Sequence, residues 1–124
     1  MLDSNSLDFQ QARIKQILFK SQLRSVLYGV RVADDAMFSP QGSALGQWMS
    51  DVIKPKFAGR AEVREADRLL QDMLRTGHDL AAQYRRGQIE EARQGLTQID
   101  RIGEQLVTVL QKLGQGAGQF GAAA

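Results

Sequence analysis

Few side chains of this 124-residue chain have the chemistry for catalysis or metal binding. There is no cysteine, which excludes thiolate nucleophiles, disulfides and any zinc site that needs sulfur. A structural zinc ion takes four donors, usually histidine nitrogen and cysteine sulfur, so the single histidine, His78, cannot form a site alone. The sequence has no glycine-rich phosphate loop, no nucleophile beside a base and no pair of carboxylates on an inner helix face. It therefore indicates a protein that is not an enzyme.

The remaining charged residues predict surfaces rather than a catalytic centre. The first predicted helix has a basic outer face formed by Arg13, Lys15, Lys20, Arg24 and Arg31. Such a face is either solvated or meets an acidic partner or an anionic surface. His78 is expected on the surface, half-exposed beside Gly77, with a pH-sensing role as the alternative.

The composition indicates one all-α domain. The chain is 43% hydrophobic with only two prolines and eight aromatic residues, and its length suffices for a core without disulfides. The 16 basic and 14 acidic residues alternate along the chain and leave a charge of only +2, so no nucleic-acid partner is expected. No signal sequence and no run of about 18 apolar residues occurs, and the expectation is a soluble cytoplasmic protein without membrane insertion.

The hydrophobic spacing predicts a four-helix bundle with up-down packing, made of three long helices and one short second helix. The predicted helices cover about residues 7–28, 40–53, 60–86 and 89–113. Ser39 is expected to cap the second helix, and Pro55 to end it. Gly29 and Gly87 are expected to end the first and third helices. Residues 1–6 form a lead-in, residues 7–113 the bundle, and residues 114–124 a flexible Gly/Ala/Gln-rich tail.

Two helices carry more specific patterns. Gln16 falls on the inner seam of the first helix, and Ile14, Ile17, Leu18 and Leu27 widen the apolar surface of that helix beyond one stripe. The extra apolar residues predict contacts with more than one neighbour, inside the subunit or across a dimer. In the fourth helix Gly103 interrupts a regular apolar seam, and predicts an unusually close approach of two helices.

Three short patterns follow one another along the chain: Gln16-Ile17-Leu18-Phe19-Lys20, then Ser43-Ala44-Leu45-Gly46-Gln47-Trp48, then Leu70 and Leu74 four residues apart. Their order resembles the chemoreceptor zinc-binding (CZB) family, whose members carry His-x-x-Trp/Phe-Lys on one helix, Cys-x-x-Gly-x-Trp on a short helix and His-x-x-x-His on a third. Leu45-Gly46-x-Trp48 is the strongest part of this resemblance, which extends from about Leu7 to Leu113. The alternative is that Trp48 is an aromatic residue of the hydrophobic core with no further role.

In this sequence the four metal-ligand positions of the family are Gln16, Ser43, Leu70 and Leu74, none of which is a good zinc donor. Zinc is therefore expected to be absent, with no other cofactor. Instead of a bound metal, burial of Leu70 and Leu74 would each contribute about 1.5–3 kcal/mol of stability. Gln16 is expected to bond to Ser43 or to a backbone carbonyl, unless it faces water at a wide seam.

The resemblance implies a non-catalytic sensory or regulatory module of bacterial signalling, linked to chemotaxis or to cyclic-di-GMP. It also implies a homodimer and a signalling-protein partner. Two alternatives remain open. A small helical chaperone or adaptor of a flagellar or secretion system would hold a partner helix in an exposed apolar groove. A ligand-binding enzyme would need a polar-lined pocket around Gln16 and Ser43.

Overall fold

The computed structural model describes the backbone of residues 4–123 and the side chains of residues 9–114. That part of the chain is all-helical, without a β-strand, which confirms the predicted all-α class, and its helices pack in a bundle-like arrangement. The α-helices are α1 (Ser4–Leu27), α2 (Ala44–Trp48), α3 (Lys54–Lys56), α4 (Ala61–Arg85), α5 (Ile89–Gln94) and α6 (Leu96–Ala123). A 3₁₀ turn (Asp35–Phe38) precedes α2, and a π turn (Met49–Ile53) joins α2 to α3.

The ends of α1 and α4 are set by glycines, as predicted. Gly29 and Gly87 have φ values of 76° and 88°, a left-handed conformation that costs glycine little. The N–H of the following residue donates to the carbonyl five residues earlier, at 2.9 Å after Gly29 and 3.0 Å after Gly87. This pattern satisfies the last carbonyls of a helix and turns the chain away from its axis.

The second helix begins later than predicted. Its N-cap is Ser43, whose Oγ accepts the N–H of Gly46 at 3.0 Å. The predicted cap, Ser39, instead accepts the N–H of Gly42 at 2.9 Å and so closes a separate turn before the helix. Two hydroxyl caps four residues apart compete for the helix start, and the second of them is followed by the regular turns of α2.

The prediction that Pro55 ends this helix is wrong. The chain remains helical through the π turn and α3, and leaves helical geometry at Phe57. In the π turn the N–H of Lys54 donates to the carbonyl of Met49, five residues earlier, so the helix is widened just before the proline. Pro55 then occupies the first turn of α3, where a missing N–H is tolerated.

The inner face of α4 is buried along its whole length, as the spacing predicted. It contributes Val63, Ala66, Leu69, Leu70, Met73, Leu74, Gly77, Leu80 and Ala81 to the core. In its first turn Glu62 bonds with its own backbone N–H and with the Arg60 guanidinium at 3.1 Å, and both bonds lower the pKa of the Glu62 carboxyl.

The predicted fourth helix, 89–113, is divided at Gly95 into α5 and α6. Gly95 packs against the side chain of Leu80, in a space that a Cβ atom would fill. Ile89 is exposed and lies outside the core, contrary to the predicted seam, while Leu96 is half-buried. The other predicted apolar seam residues are buried: Ala92, Ile99, Leu106, Leu110 and Leu113.

Helix α1 lies close against α6. The amide of Gln16 packs on Gly103, where a Cβ atom would overlap it, so the predicted close approach is confirmed. Two ion pairs flank this contact, Lys20–Asp100 at 2.5 Å and Arg13–Glu104 at 3.3 Å. The basic outer face predicted for α1 is therefore partly matched by acids of α6.

Arg93 of α5 joins the end of α1. Its Nε donates to the carbonyl of Leu27 at 2.8 Å, and its guanidinium lies 4.0 Å from the centre of the Tyr28 ring. Arg24 lies 5.5 Å from the same ring. The bond satisfies a helix-end carbonyl, and the stacking adds a cation–π contact.

Of the apolar residues that widen the surface of α1, Leu27 is buried, whereas Ile14, Ile17 and Leu18 are exposed by 57%, 54% and 45%. We call these three residues the α1 stripe. The spacing of three and four residues places them on one side of the helix. The extra apolar face thus has no partner within the described part of this chain.

The two predicted terminal segments are described only in part. Residues 1–3 and the side chains of residues 1–8 and 115–124 lie outside the described part, so the lead-in and the flexibility of the tail stay predictions. Gly114, the first residue of the predicted tail, is half-buried against the ring of Phe9, and the backbone of α6 continues to Ala123. Among the described helices none is long and apolar enough to span a bilayer.

Replacing Gly103 with alanine tests the contact with Gln16. Gly103→Ala is expected to lower the free energy of unfolding by about 1–3 kcal/mol, because the new methyl group overlaps the Gln16 amide. In a Gln16→Ala background the same change should raise the free energy of unfolding by about 0.5–1 kcal/mol, since alanine is more favourable in a helix than glycine. Urea denaturation of the four proteins measures both effects. An effect of the same sign in both backgrounds would contradict this packing.

Arg93→Ala tests the link between α5 and α1. The substitution should lower the free energy of unfolding by about 1–3 kcal/mol, because it removes both the bond to Leu27 and the stacking on Tyr28. Arg93→Lys should recover only part of the loss, since an ammonium lacks the planar guanidinium. The control is Arg64→Ala at an exposed position of α4, expected within about 0.5 kcal/mol of the parent. Equal effects at both arginines would refute the link.

Candidate functional site

The four positions that the resemblance assigns to metal ligands are all buried. Leu70 and Leu74 are 1% and 3% exposed on α4, Gln16 is 5% exposed on α1, and Ser43 is 6% exposed at the start of α2. Both leucines belong to the main core cluster. Two of these four positions are therefore filled by apolar core side chains.

The predicted hydrogen bond between Gln16 and Ser43 is wrong. The Ser43 hydroxyl oxygen accepts the N–H of Gly46, and the Gln16 amide packs on Gly103 of α6. No buried polar atom of the described side chains lacks a hydrogen-bond partner. No described residue forms a hydrogen bond with the Gln16 amide. The polar atoms of this amide therefore reach the surface. Gln16 as a whole is only 5% exposed and lies at the close contact with Gly103, so the structure does not show the wide, water-facing seam of the alternative either.

The other motif residues pack around two aromatic clusters. Phe9 meets Trp48 edge-on, with ring centroids 6.2 Å apart, and lies 6.0 Å from Phe57. Phe19 meets Phe38 edge-on at 6.4 Å. Leu45, Phe19 and Trp48 are buried, so each is a core side chain. For Trp48 this is the role of the alternative, an aromatic residue of the hydrophobic core.

Gly46 and Lys20 have roles that the sequence did not indicate. A Cβ atom at Gly46 would overlap the backbone carbonyl of Pro40, so this glycine accommodates the turn before α2. Lys20 is half-exposed and pairs with Asp100 of α6.

A cavity of about 290 Å³ lies beside Ser43 and Leu74. Its wall comes from α1, from the connection that includes the 3₁₀ turn, from the start of α2 and from α4. Phe19, Met37, Leu45 and Met73 contribute apolar surface, and Gln16 does not line it. The ligand-binding enzyme alternative needs a polar pocket that includes both Gln16 and Ser43. This cavity includes Ser43 but not Gln16, so it is not that pocket.

A second, wider cavity of about 510 Å³ lies on the other side of Leu74, which lines both. Asp35, Phe38, Arg75 and His78 contribute to it. The His78 ring meets Phe38 edge-on at 5.4 Å, and the residue is exposed rather than half-exposed as predicted.

The described side chains contain no group of three or more His, Cys, Asp or Glu residues that could hold a metal ion. The expected absence of zinc stays a prediction. The sequence analysis missed Lys15, Arg31 and Asp34 as residues around one cavity. The basic face of α1 was visible in the sequence, but the fold of the connection that brings Arg31 and Asp34 to Lys15 was not.

Comparisons of the chain with protein-family models, curated proteins and solved structures give no match.

Ser43→Ala tests the cap at the cavity. Loss of the hydroxyl should lower the free energy of unfolding by about 0.5–2 kcal/mol, because the N–H of Gly46 loses its acceptor. The control is Ser50→Ala, an exposed serine in the π turn, which should change stability by less than about 0.5 kcal/mol. Chemical denaturation of both variants gives the comparison. A Ser43 variant as stable as the control would show that the cap is not formed.

Proposed function

We propose that this chain is a non-catalytic, CZB-like sensory or regulatory module of bacterial signalling, linked to chemotaxis or cyclic-di-GMP, that no longer binds zinc. It acts in the cytoplasm through dimerisation or docking to a signalling protein. The observation that carries the proposal is the α1 stripe, an exposed apolar helix face in a chain whose former ligand positions are buried. Such a face is a typical site of protein association.

An up-down arrangement of the bundle is part of this proposal. Residue 9 of α1 contacts residue 114, residue 16 contacts 103, residue 20 contacts 100 and residue 27 contacts 93. The residue numbers of α5 and α6 therefore decrease as those of α1 increase. Residues 19 and 29 of the first part of the chain meet residues 77 and 84 of α4. These pairings support α1 and α4 running one way and α6 the other.

The stripe supports a homodimer in which α1 packs against α1 of a second copy. Ile14, Ser21 and Tyr28 follow one another at intervals of seven residues, with Ile17 and Leu18 between the first two. An interval of seven keeps one face of a helix toward a partner helix, and the small Ser21 allows close approach. Tyr28 extends the exposed apolar surface at the end of α1.

The charges beside the stripe support the same arrangement. Arg13 and Lys20 on one flank are paired with Glu104 and Asp100 of α6, which reduces repulsion between two copies. On the other flank Lys15 forms no ion pair within the described part of the chain. Arg24 lies on the same flank as Arg13 and Lys20 without an ion pair among the described residues, so the two pairs reduce the positive charge of that flank but do not cancel it.

The small helical chaperone or adaptor remains the second candidate function, and the same stripe favours it. In that case a partner helix covers Ile14, Ile17 and Leu18 instead of a second copy. The two functions differ in the state of the isolated protein, because an adaptor leaves the stripe uncovered until its partner binds.

The oligomeric state tests the proposal. The parent protein should be a dimer in sedimentation-velocity and light-scattering experiments. The double variant Ile14→Gln/Ile17→Gln should dissociate at least about ten-fold more readily, because it removes apolar area from the contact. The matched control is Val30→Gln/Val32→Gln, which makes similar changes at valines that are 80% and 89% exposed outside the stripe.

Three outcomes would count against the proposed function. A parent protein that is monomeric at high concentration removes the dimer and leaves the adaptor. Equal dissociation of the stripe variant and the valine control places the contact elsewhere. Elemental analysis that finds one zinc per chain contradicts the loss of the metal.

A further inference from the structure

The cavity of about 290 Å³ beside Ser43 has an apolar floor and a charged mouth. Phe19, Met37, Leu45 and Met73 form the floor, and all four are buried core residues. Small-molecule sites combine such surfaces with a few placed polar groups. The volume lies at the lower end of the range for ligand sites, and so limits the ligand to a small molecule.

Two cations line this cavity from different parts of the chain. Lys15 is half-buried on α1, and Arg31 follows that helix on the connection to α2. Neither forms an ion pair with any residue of the described part. By contrast, Arg13 and Lys20 of α1 each have a carboxylate partner. Lys15 and Arg31 are thus unpaired cations at the cavity, whereas Arg24, the other unpaired cation of this basic face, stacks on Tyr28 and does not line it.

One acidic residue lies in the same lining. Asp34 accepts the backbone N–H of Met37 through Oδ1 at 2.9 Å, which caps the 3₁₀ turn and fixes the carboxylate. With Lys15 and Arg31 the lining carries one positive charge in excess. A ligand with a single negative charge balances it, whereas a dianion exceeds it.

Ser43 supplies a buried polar group to the cavity. Its oxygen accepts the N–H of Gly46, so the hydroxyl proton remains available, and it has no acceptor among the described side chains and backbone. Gln47 also lines the cavity, but its side-chain nitrogen already donates to the carbonyl of Gln41 at 2.7 Å. The Ser43 hydroxyl and the second N–H of the Gln47 amide therefore both remain available as donors at the cavity.

We propose that this cavity binds a small monoanionic carboxylate with an apolar body. The carboxylate lies between Lys15 and Arg31 at the mouth, and the apolar body contacts the floor beside Met37 and Met73. This inference goes beyond the proposed regulatory function and does not depend on it, because it rests on the cavity alone.

The probe is 3-phenylpropionate, and its neutral amide is the matched comparison. Methionine methyl groups report on binding by carbon–proton NMR, because Met37 and Met73 line the cavity and buried Met49 does not. The carboxylate should shift the Met37 and Met73 signals with a dissociation constant in the millimolar range, typical of so small a ligand, and leave Met49 unchanged. The amide should bind at least about five-fold more weakly.

Charge variants locate the anion. Lys15→Gln and Arg31→Gln should each weaken the carboxylate about five- to ten-fold and leave the amide unaffected. The control, Lys112→Gln, makes the same charge change at an exposed position of α6 outside the lining, and should change binding less than two-fold. Because the substitutions lie at the mouth, unchanged circular dichroism and Met49 signals confirm that each variant is folded.

Four results would overturn the inference: no methyl shift with the carboxylate, equal binding of acid and amide, loss of binding in the Lys112 control, or shifts of Met49 as large as those of Met37. Failure here is distinct from failure of the proposed function, because dimerisation is measured by sedimentation without ligand.

Discussion

Because Gly103 has no side chain, the Gln16 amide of α1 packs directly on the backbone of α6, and the two long helices come closer than side chains would otherwise allow. This spacing brings Lys20 and Arg13 within reach of acids on α6. The remaining inner face of α1 then turns to α4, where Phe19 lies against Gly77. The outer face is left without a neighbour, and the α1 stripe follows from that.

The long elements were predictable because each carries its own signal. The glycines after α1 and α4 and the regular burial of α4 could be identified from residue types and spacing alone. The short second helix was harder. Its start depends on which of two serines, Ser39 or Ser43, finds an N–H to accept, and its continuation past Pro55 depends on a π turn. Competing local bonds of similar energy cannot be ranked without the tertiary contacts.

The candidate site was predictable only as a set of positions. The burial of Leu70 and Leu74 agrees with the inner face that spacing assigned to the third helix, but the burial of Ser43, the partner of Gln16 and the cavity do not follow from spacing. A cavity depends on the path of an irregular connection, which has no periodicity. The break at Gly95 was hidden for a similar reason, since the apolar seam continues through it while the Leu80 side chain fills the space.

The stripe and the cavity meet at one side chain, Leu18, which belongs to the first and lines the second. A carboxylate in the cavity and a second copy on the stripe would both contact it. If both proposals hold and the dimer favours one conformation of the Leu18 side chain, dimerisation changes the affinity of the cavity for the ligand. Ligand binding then changes the affinity of the two copies for each other by the same factor. Such a link would give the proposed regulatory module a chemical input.

The bond from Arg93 to the end of α1 has a further consequence for local motion. Since α5 is separated from α6 at Gly95, its six residues can open without unwinding the longer helix. Opening would free the Leu27 carbonyl and the Tyr28 ring together. The last turn of α1 and the hairpin after α4, distant in sequence, would then exchange their amide hydrogens as one cooperative unit.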